Sequence, residues 1–261
     1  MTLRLQLLSD LHLETEAFDP QPAPGADVLV LAGDIDSSWV GFERFADWPA
    51  PVLLVAGNHE FDGREWNEAW PALRARVSAC GIRLLERETL TLADRDGRRT
   101  RLIATTRWAD FDLYGAAQRE RAMRSAGYFM RLMQATRDGR PFDAAAMRDE
   151  ALACKGWLEH ALGQPHDCDA TVVVTHFGPS AASADPRFGQ QPSTASFCND
   201  DQSLMARADV WLHGHVHCCH DYTVARDGRP PMRVVCNARG LQDKNEGEGF
   251  DPLCVIEVPQ S

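Results

Sequence analysis

Short apolar runs that each end in a polar side chain most constrain how this chain of 261 residues can fold. The first three runs, at residues 3–8, 28–32 and 52–56, consist mainly of Leu, Val and Ala. Runs of this length and composition are typical of buried strands in a largely parallel sheet. Directly after them come the segments Ser9-Asp10-Leu11-His12, Gly33-Asp34 and Gly57-Asn58-His59-Glu60. The pattern predicts an α/β (α+β) fold in which polar residues follow several strand ends.

Two later apolar runs, at residues 171–175 and 209–212, lead into histidines. The chain has nine histidines, and three of them fall in the segment His213-Gly214-His215-Val216-His217. Side chains at positions i and i+2 past a strand end can share one face, and the carboxyl ends of neighbouring strands gather in one crevice of an open sheet. We therefore expect the polar side chains that follow all five runs to lie close together.

The side chains expected in this crevice are nitrogen and oxygen donors, and none is a thiolate. Such donors suit Mn, Fe or Zn in a reactive site better than a structural zinc cluster. They are too many for one ion, and a carboxylate such as Asp34 can bridge two. Two bound divalent ions would lower the pKa of bound water and hold the oxygens of an in-line displacement at phosphorus. The expected metal ligands are Asp10, His12, Asp34, Asn58, His176, His215 and His217.

In their order along the chain, these segments resemble the five motifs of the calcineurin-like metallophosphoesterase superfamily. They span residues 10–217 with no departure at a ligand position. The resemblance implies two packed mixed β-sheets flanked by helices. It also implies hydrolysis of a phosphodiester or phosphomonoester by a hydroxide that bridges two metal ions. The matching residues are Asp10-x-His12, Gly33-Asp34, Gly57-Asn58-His59-Glu60, His176 and Gly214-His215-x-His217.

The resemblance also assigns a role to each motif residue. Asp34 would bridge the metals. His59 would not bind metal but would act in catalysis, either protonating the leaving group or stabilising the charge of the transition state. The first metal would be held by Asp10, His12 and His217, and the second by Asn58, His176 and His215.

Outside the motifs, the pattern predicts one domain over residues 1–261 with a pair of helices inserted at 111–162. The pair is expected to run from 116 to 137 and from 143 to 162, and it is either a plain packing layer or a cap over the crevice. Further helices are expected at 37–47 and 66–80. Short strands at 82–85, 89–93 and 100–105 are expected to form an antiparallel meander inside a mixed sheet. The long loop at 177–203 is of the kind that often carries function.

Five further residues are weaker candidates for a role at or near the site. Glu60 is expected to brace its loop through hydrogen bonds, and His213 to lie in the core. Arg239, Arg107 and Trp108 are the candidates for contact with the substrate, because arginine can bind a phosphate through two hydrogen bonds and Trp108 leads into the helix pair.

The composition of the chain limits the kinds of partner and the cellular location that are expected. A net charge of −11 disfavours a protein that binds nucleic-acid polymers and favours a small phosphorylated substrate. No run approaches the length of a membrane span, and the chain begins directly with a strand rather than a secretory signal. The eight cysteines contain no C-x-x-C pair. A cytoplasmic protein without a membrane partner is therefore expected, and nothing in the sequence indicates an oligomeric state.

Two alternative functions stay open at this stage. One is a catalytically silent scaffold that uses the same fold to bind proteins, although loss of metal ligands would then be expected. The other is a nuclease of the same superfamily, which would need a basic groove or a DNA-binding extension that the acidic sequence does not indicate.

Overall fold

A computed structural model describes residues 2–259, which form thirteen strands and four α-helices. The strands are β1 (Arg4–Leu8), β2 (Val28–Leu31), β3 (Val52–Leu54), β4 (Ile82–Leu84), β5 (Glu88–Ala93), β6 (Arg99–Ala104), β7 (Thr136–Arg137), β8 (Arg140–Pro141), β9 (Ala170–Val174), β10 (Val210–His213), β11 (His220–Arg226), β12 (Arg229–Cys236) and β13 (Val255–Glu257). The helices are α1 (Trp66–Ser78), α2 (Arg119–Met133), α3 (Ala144–Gly163) and α4 (Gln202–Met205).

The long strands form two mixed sheets. The first has the order β13-β1-β2-β3-β4, in which β1 to β4 are parallel and β13 is antiparallel to β1. The second has the order β11-β12-β10-β9-β6-β5, with four parallel strands in the middle and an antiparallel strand at each edge. A parallel bridge between Ser9 and Ala238 joins the end of β1 to the end of β12. The carboxyl ends of the parallel strands of both sheets therefore meet.

The two sheets pack face to face around an apolar layer. Because side chains alternate along a strand, Leu5 and Leu7 of β1 point into this layer, while Leu8 faces the opposite side. From the second sheet, alternate residues of β9 and β10 such as Val172 and Leu212 fill the same layer. The predicted sandwich of two mixed sheets is confirmed.

Helices cover the outer face of each sheet. Helices α1, α2 and α3 pack against the first sheet. The residues that α1 buries there are Trp66, Leu73 and Val77, and the inner faces of α2 and α3 belong to the same core. On the second sheet, the end of α3 and α4 pack over Val173 and Trp211. Within residues 2–259, no helix is long and apolar enough to cross a membrane.

The helix pair at 111–162 is present, but its first helix is shorter than expected. It begins at Arg119 after a 3-10 turn and ends at Met133, where Gln134 takes a left-handed conformation with φ of 52°. The prediction that it continues to residue 137 is wrong, because the chain there forms the two-residue ribbon β7–β8. Thr136 of that ribbon is held by Glu65, which accepts its hydroxyl at 2.8 Å.

Two smaller expectations are also wrong. The helix predicted at 37–47 is only a 3-10 segment, Gly41–Phe45. The carboxylate of Asp36 accepts hydrogen bonds from the backbone of Ser38 and Gly41, which fixes a turn where a helix was expected. Of the three strands assigned to a meander, β4 instead joins the first sheet in parallel to β3, and only β5 and β6 pair antiparallel.

A buried ion-pair network joins the second sheet to the helix pair and to the loop after β9. Arg107, which follows β6, is completely buried. Its guanidinium donates to both carboxylate oxygens of Asp201 at 3.0 and 2.8 Å, and to Asp110 at 2.8 Å. It also donates to the carbonyl of Ala151 in α3 at 3.2 Å. One side chain therefore connects three parts of the fold.

Replacing Arg107 with Met is expected to lower the free energy of unfolding by about 3–5 kcal/mol, because Asp201 and Asp110 would remain buried without their cation. Urea unfolding followed by circular dichroism measures the change. The control is Arg124→Met, which removes an exposed pair with Glu120 on α2 and is expected to change stability by less than ~1 kcal/mol. Equal effects of the two substitutions would contradict a structural role for the network.

Candidate metal centre

The structure brings together six of the seven side chains that the sequence nominated as metal ligands. Two clusters of donor atoms are present, and within each the atoms lie within 4.8 Å of one another. Both clusters contain Asp34, and the amide of Asn58 follows β3 on the same edge. The first cluster consists of Asp10, His12, Asp34 and His217, and the second of Asp34, His176 and His215.

The backbone is strained where it carries these ligands. Five of the seven have φ between 45° and 71°, a left-handed conformation that costs about 1–3 kcal/mol for a residue other than glycine and that clusters at functional sites. Hydrogen bonds between strand ends hold it: the amide of Asp10 donates to Gly33 at 2.9 Å, and the amide of His215 donates to the Asp10 carboxylate at 2.9 Å. The strained ligands are Asp10, His12, Asp34, His215 and His217.

Hydrogen bonds behind the first cluster fix the orientation of its imidazoles. Nδ1 of His12 lies 3.1 Å from Glu14, and Nδ1 of His217 lies 2.5 Å from Glu246. Each carboxylate can only accept, so each Nδ1 carries a proton and each Nε2 is turned toward the other imidazole. The two Nε2 atoms lie 3.0 Å apart. At this distance the two nitrogens need a shared proton or a metal ion between them, so this pair fits a metal ion that replaces the proton.

The second cluster is oriented by backbone carbonyls. Nδ1 of His176 lies 2.7 Å from the carbonyl of Ala32, which leaves Nε2 to face Asp34. Nε2 of His215 lies 3.2 Å from the carbonyl of Ser196, which leaves its Nδ1 for a ligand. Burial, reinforced by His176, holds the pKa of His215 well below its usual value, so this imidazole is neutral, as a metal ligand must be.

Of the buried atoms on the nominated ligands, three have no hydrogen-bond partner among the described residues: Asp34 Oδ2, Asn58 Oδ1 and His176 Nε2. The Asp34 and His176 atoms lie 3.1 Å apart, but without the geometry of a hydrogen bond. Burial opposes the charge on His176, yet the Asp34 carboxylate raises its pKa to about 9. A divalent cation bound between these two atoms would displace the proton of His176 and give both atoms a partner. The residues therefore fit a metal ion on this side of Asp34 as well.

Comparison with known proteins agrees with this geometry. The family model for calcineurin-like phosphoesterases matches residues 4–219, which is most of the chain. The chain belongs to the calcineurin-like phosphoesterase family. No curated protein sequence matches it significantly.

Solved structures share the fold of this phosphoesterase-family chain at low sequence identity. A phosphopantetheinyl hydrolase from Mycobacterium tuberculosis is 20% identical with a TM-score of 0.65, over 93% of this chain and 91% of that one. A dimetal phosphatase from Danio rerio is 13% identical with a TM-score of 0.53, over 90% of this chain and 87% of that one. Family and fold support a hydrolase that uses divalent metal ions.

Glu60 stabilises the loops of the candidate centre through hydrogen bonds, as expected from the sequence. Its buried carboxylate accepts hydrogen bonds from the backbone amides of Asp34 at 3.0 Å, Ile35 at 2.7 Å and Gly57 at 2.6 Å. Burial, followed by the neighbouring Asp34 charge, raises the pKa of Glu60 to about 7. Glu60 therefore ties the ends of β2 and β3 together rather than offering a ligand.

His213, the third histidine of the segment 213–217, lies in the core. It is completely buried, and its Nδ1 lies 2.9 Å from the carbonyl of Gly214. Burial lowers the pKa of His213 to about 3, so it is neutral.

His59 lies at the open side of the centre. Its side chain is 37% exposed, and its ring centroid lies 5.1 Å from that of His12. Its backbone amide donates to Asp34 Oδ1 at 2.8 Å, and its Nδ1 lies 2.6 Å from Asp62. Burial opposes the charge, but Asp34 and Asp62 raise the pKa of His59 to about 10. The imidazolium can therefore donate a proton from Nε2.

Two of the three residues nominated for substrate contact are placed elsewhere. The guanidinium of Arg107 is fully buried and paired with Asp201 and Asp110, so it has no access to a phosphate. Trp108 is also completely buried, with its ring against Trp66 and Phe142. Both expectations are wrong because the segment after β6 turns into the core.

Arg239 is close to the centre, but its charge is already engaged. Its backbone amide donates to Ser9 at 3.0 Å, next to Asp10. Its guanidinium donates to the carbonyl of Leu11 and to Glu16, each at 3.1 Å, and lies over the ring of Phe18. Arg239 therefore supports the segment that carries Asp10 and His12.

Sequence reasoning missed Glu14 and Glu246. Glu14 continues the i, i+2 spacing of Asp10 and His12, so that alternation was a signal for it. Glu246 lies in a Gly-rich loop beyond residue 219, where the family match ends, and only the folded chain brings it to His217.

Replacing Glu246 with Ala is expected to weaken binding of a metal ion at the first cluster about 10–100-fold, because His217 would lose the acceptor that fixes its tautomer and orientation. Calorimetric titration of the metal-free protein with Mn²⁺ or Zn²⁺ measures each site. Glu246→Gln, which retains an acceptor oxygen, is expected to recover part of the affinity.

The matched control is Glu248→Ala, which removes an exposed carboxylate two residues away on the same loop. It is expected to leave both affinities unchanged. An equal loss in Glu248→Ala, or no loss in Glu246→Ala, would contradict the role assigned to Glu246.

Proposed function

We propose that this chain hydrolyses a phosphoester of a small metabolite or nucleotide at a centre of two divalent cations. The observation that carries the proposal is the pair of donor clusters that share the Asp34 carboxylate. In this proposal, Asp10, His12 and His217 hold one ion, Asn58, His176 and His215 hold the other, and Asp34 bridges them. The donor set fits Mn, Fe or Zn.

When bound, two such ions would supply a hydroxide nucleophile at neutral pH and neutralise charge on the phosphoryl oxygens. The chain's own residues do the rest. Glu14, Glu246 and the carbonyls of Ala32 and Ser196 hold the imidazoles in the tautomer that binds metal. His59, which is 37% exposed beside the first cluster and has its Nδ1 held by Asp62, is placed to donate to the leaving group or to stabilise charge in the transition state.

The substrate is proposed only as a class. One structural neighbour is named a phosphopantetheinyl hydrolase and another a dimetal phosphatase, so phosphopantetheinyl compounds and simple phosphomonoesters are the first substrates to test. The ligands fit monoesters and diesters equally. We further propose a cytoplasmic protein of one domain, in which the helix pair at 111–162 and the loop after His176 determine specificity.

The Asp34→Asn variant is expected to lose about 10³-fold in kcat, because removing the shared charge would cost several kcal/mol of transition-state stabilisation. Steady-state kinetics on p-nitrophenyl phosphate and bis-p-nitrophenyl phosphate, after loading with Mn, Zn or Fe, measures this. The control is Asp47→Asn, the same change at an exposed position. Undiminished turnover in Asp34→Asn would contradict the two-metal centre. Failure of the unaltered protein to turn over any phosphoester would favour a protein-binding scaffold.

The His59→Ala variant separates the two roles open to His59. If His59 protonates the leaving group, we expect a loss of about 10²-fold or more on alkyl phosphoesters and a much smaller loss on p-nitrophenyl esters, whose leaving group needs no proton. Equal losses on both would instead indicate charge stabilisation. The ratio of the kcat values on the two esters is the measurement, and no loss on either would remove His59 from the mechanism.

A further inference from the structure

An open pocket of about 70 Å³ lies against the segment that carries two of the proposed metal ligands. Val216, which lies between His215 and His217, forms part of its wall. The opposite wall is the loop after β9. The lining residues are Ala184, Asp185, Phe188, Gln191, Ser193, Thr194, Phe197 and Val216.

Aromatic rings continue from this pocket to the metal centre. The ring of Phe197 stacks on the imidazole of His215, with centroids 5.0 Å apart and 29° between the planes. The ring of Phe129 in α2 lies edge-on to Phe197 at 5.5 Å. Two of these apolar side chains face solvent to an unusual degree, since Phe188 is 63% exposed and Phe129 is 43% exposed. The pocket and the metal centre therefore share one wall, and that wall is apolar.

The charges at the pocket are already paired. Among its described lining residues, Asp185 is the only ionisable side chain. Arg187 donates to the Asp185 carboxylate at 2.6 and 2.8 Å, and also to the carbonyl of Asn245 at 3.4 Å. No lining side chain of this described pocket offers an unpaired cation to a second phosphate group. A charged substituent would gain nothing there, whereas an uncharged apolar one would be removed from water.

We propose that this pocket binds the uncharged, apolar part of the substrate's ester group, such as a short alkyl chain or the edge of an aryl ring. The proposal rests on the function proposed above, because it requires the phosphoryl group to lie at the metal ions. The volume agrees with a group of this size: it is about half of the ~150 Å³ apolar cavity that holds benzene in another protein, and it is open on one side. The pocket thus selects phosphoesters by the hydrophobicity of their ester group.

Binding of phosphonates tests the pocket without depending on catalysis. Calorimetry on the metal-loaded protein would give Kd values for methylphosphonate, butylphosphonate and benzylphosphonate, which present the same anionic head with increasing apolar surface. We expect benzylphosphonate to bind about tenfold more tightly than methylphosphonate. In Phe188→Ser, which removes an apolar side chain that lines the pocket, this preference is expected to fall to a few-fold, while the Kd of methylphosphonate stays the same.

The control is Leu152→Ser, which removes an apolar side chain of α3 that is 44% exposed and does not line the pocket. It is expected to retain the full preference. Equal Kd values for all three phosphonates in the unaltered protein, or a full preference that survives in Phe188→Ser, would overturn the proposal.

Turnover of p-nitrophenyl phosphate by the same preparation distinguishes this proposal from the function on which it rests. Turnover without an apolar preference would overturn the pocket alone. An apolar preference without turnover of any phosphoester would support the pocket and count against the proposed hydrolysis.

Discussion

The centre depends on where the Asp34 carboxylate lies. It belongs to both donor clusters, it accepts the backbone amide of His59 at 2.8 Å, and its own amide is held by Glu60 at 3.0 Å. Burial opposes its ionisation, but His176 and His59 hold the pKa of Asp34 well below its usual value. The ionised Asp34 carboxylate therefore links the two clusters and also fixes the position of His59, the candidate proton donor. Glu60 joins the ends of β2 and β3 and so holds Asp34 in place.

The fold makes this arrangement possible because the two sheets present the same ends of their parallel strands. Strands of the first sheet deliver Asp10, His12, Asp34 and Asn58, and strands of the second deliver His176, His215 and His217. The apolar layer between the sheets fixes their separation, and the bridge between Ser9 and Ala238 closes the edge at which they meet. The left-handed backbone at five ligands is stable only because hydrogen bonds from neighbouring strand ends determine it.

Much of this was predictable, because the determining signals are local. Each ligand follows an apolar run that must be a buried strand, so order and spacing alone placed them at one edge. Contacts between distant segments gave no such signal. From the sequence, Arg107 and Trp108 were expected at the edge of the crevice. Arg107 is instead buried because it pairs with Asp201, which lies almost a hundred positions later in the chain. The 37–47 segment has helical composition, but the Asp36 side chain binds the backbone amides that a helix would need free. Glu246 and Phe197 lie in loops whose composition does not indicate what they contact.

The loop that carries Glu246 shows that residues beyond the family match help to build the candidate metal centre. The family match stops at residue 219, yet the later residues supply β12, which pairs with β10 in the second sheet, the partner of His217, and backbone amides that donate to Ser9 and Asp10. A shortened chain ending at the family boundary would retain every metal ligand and lack one side of the scaffold that orients them. The motif residues and the scaffold that orients them therefore come from different stretches of this chain.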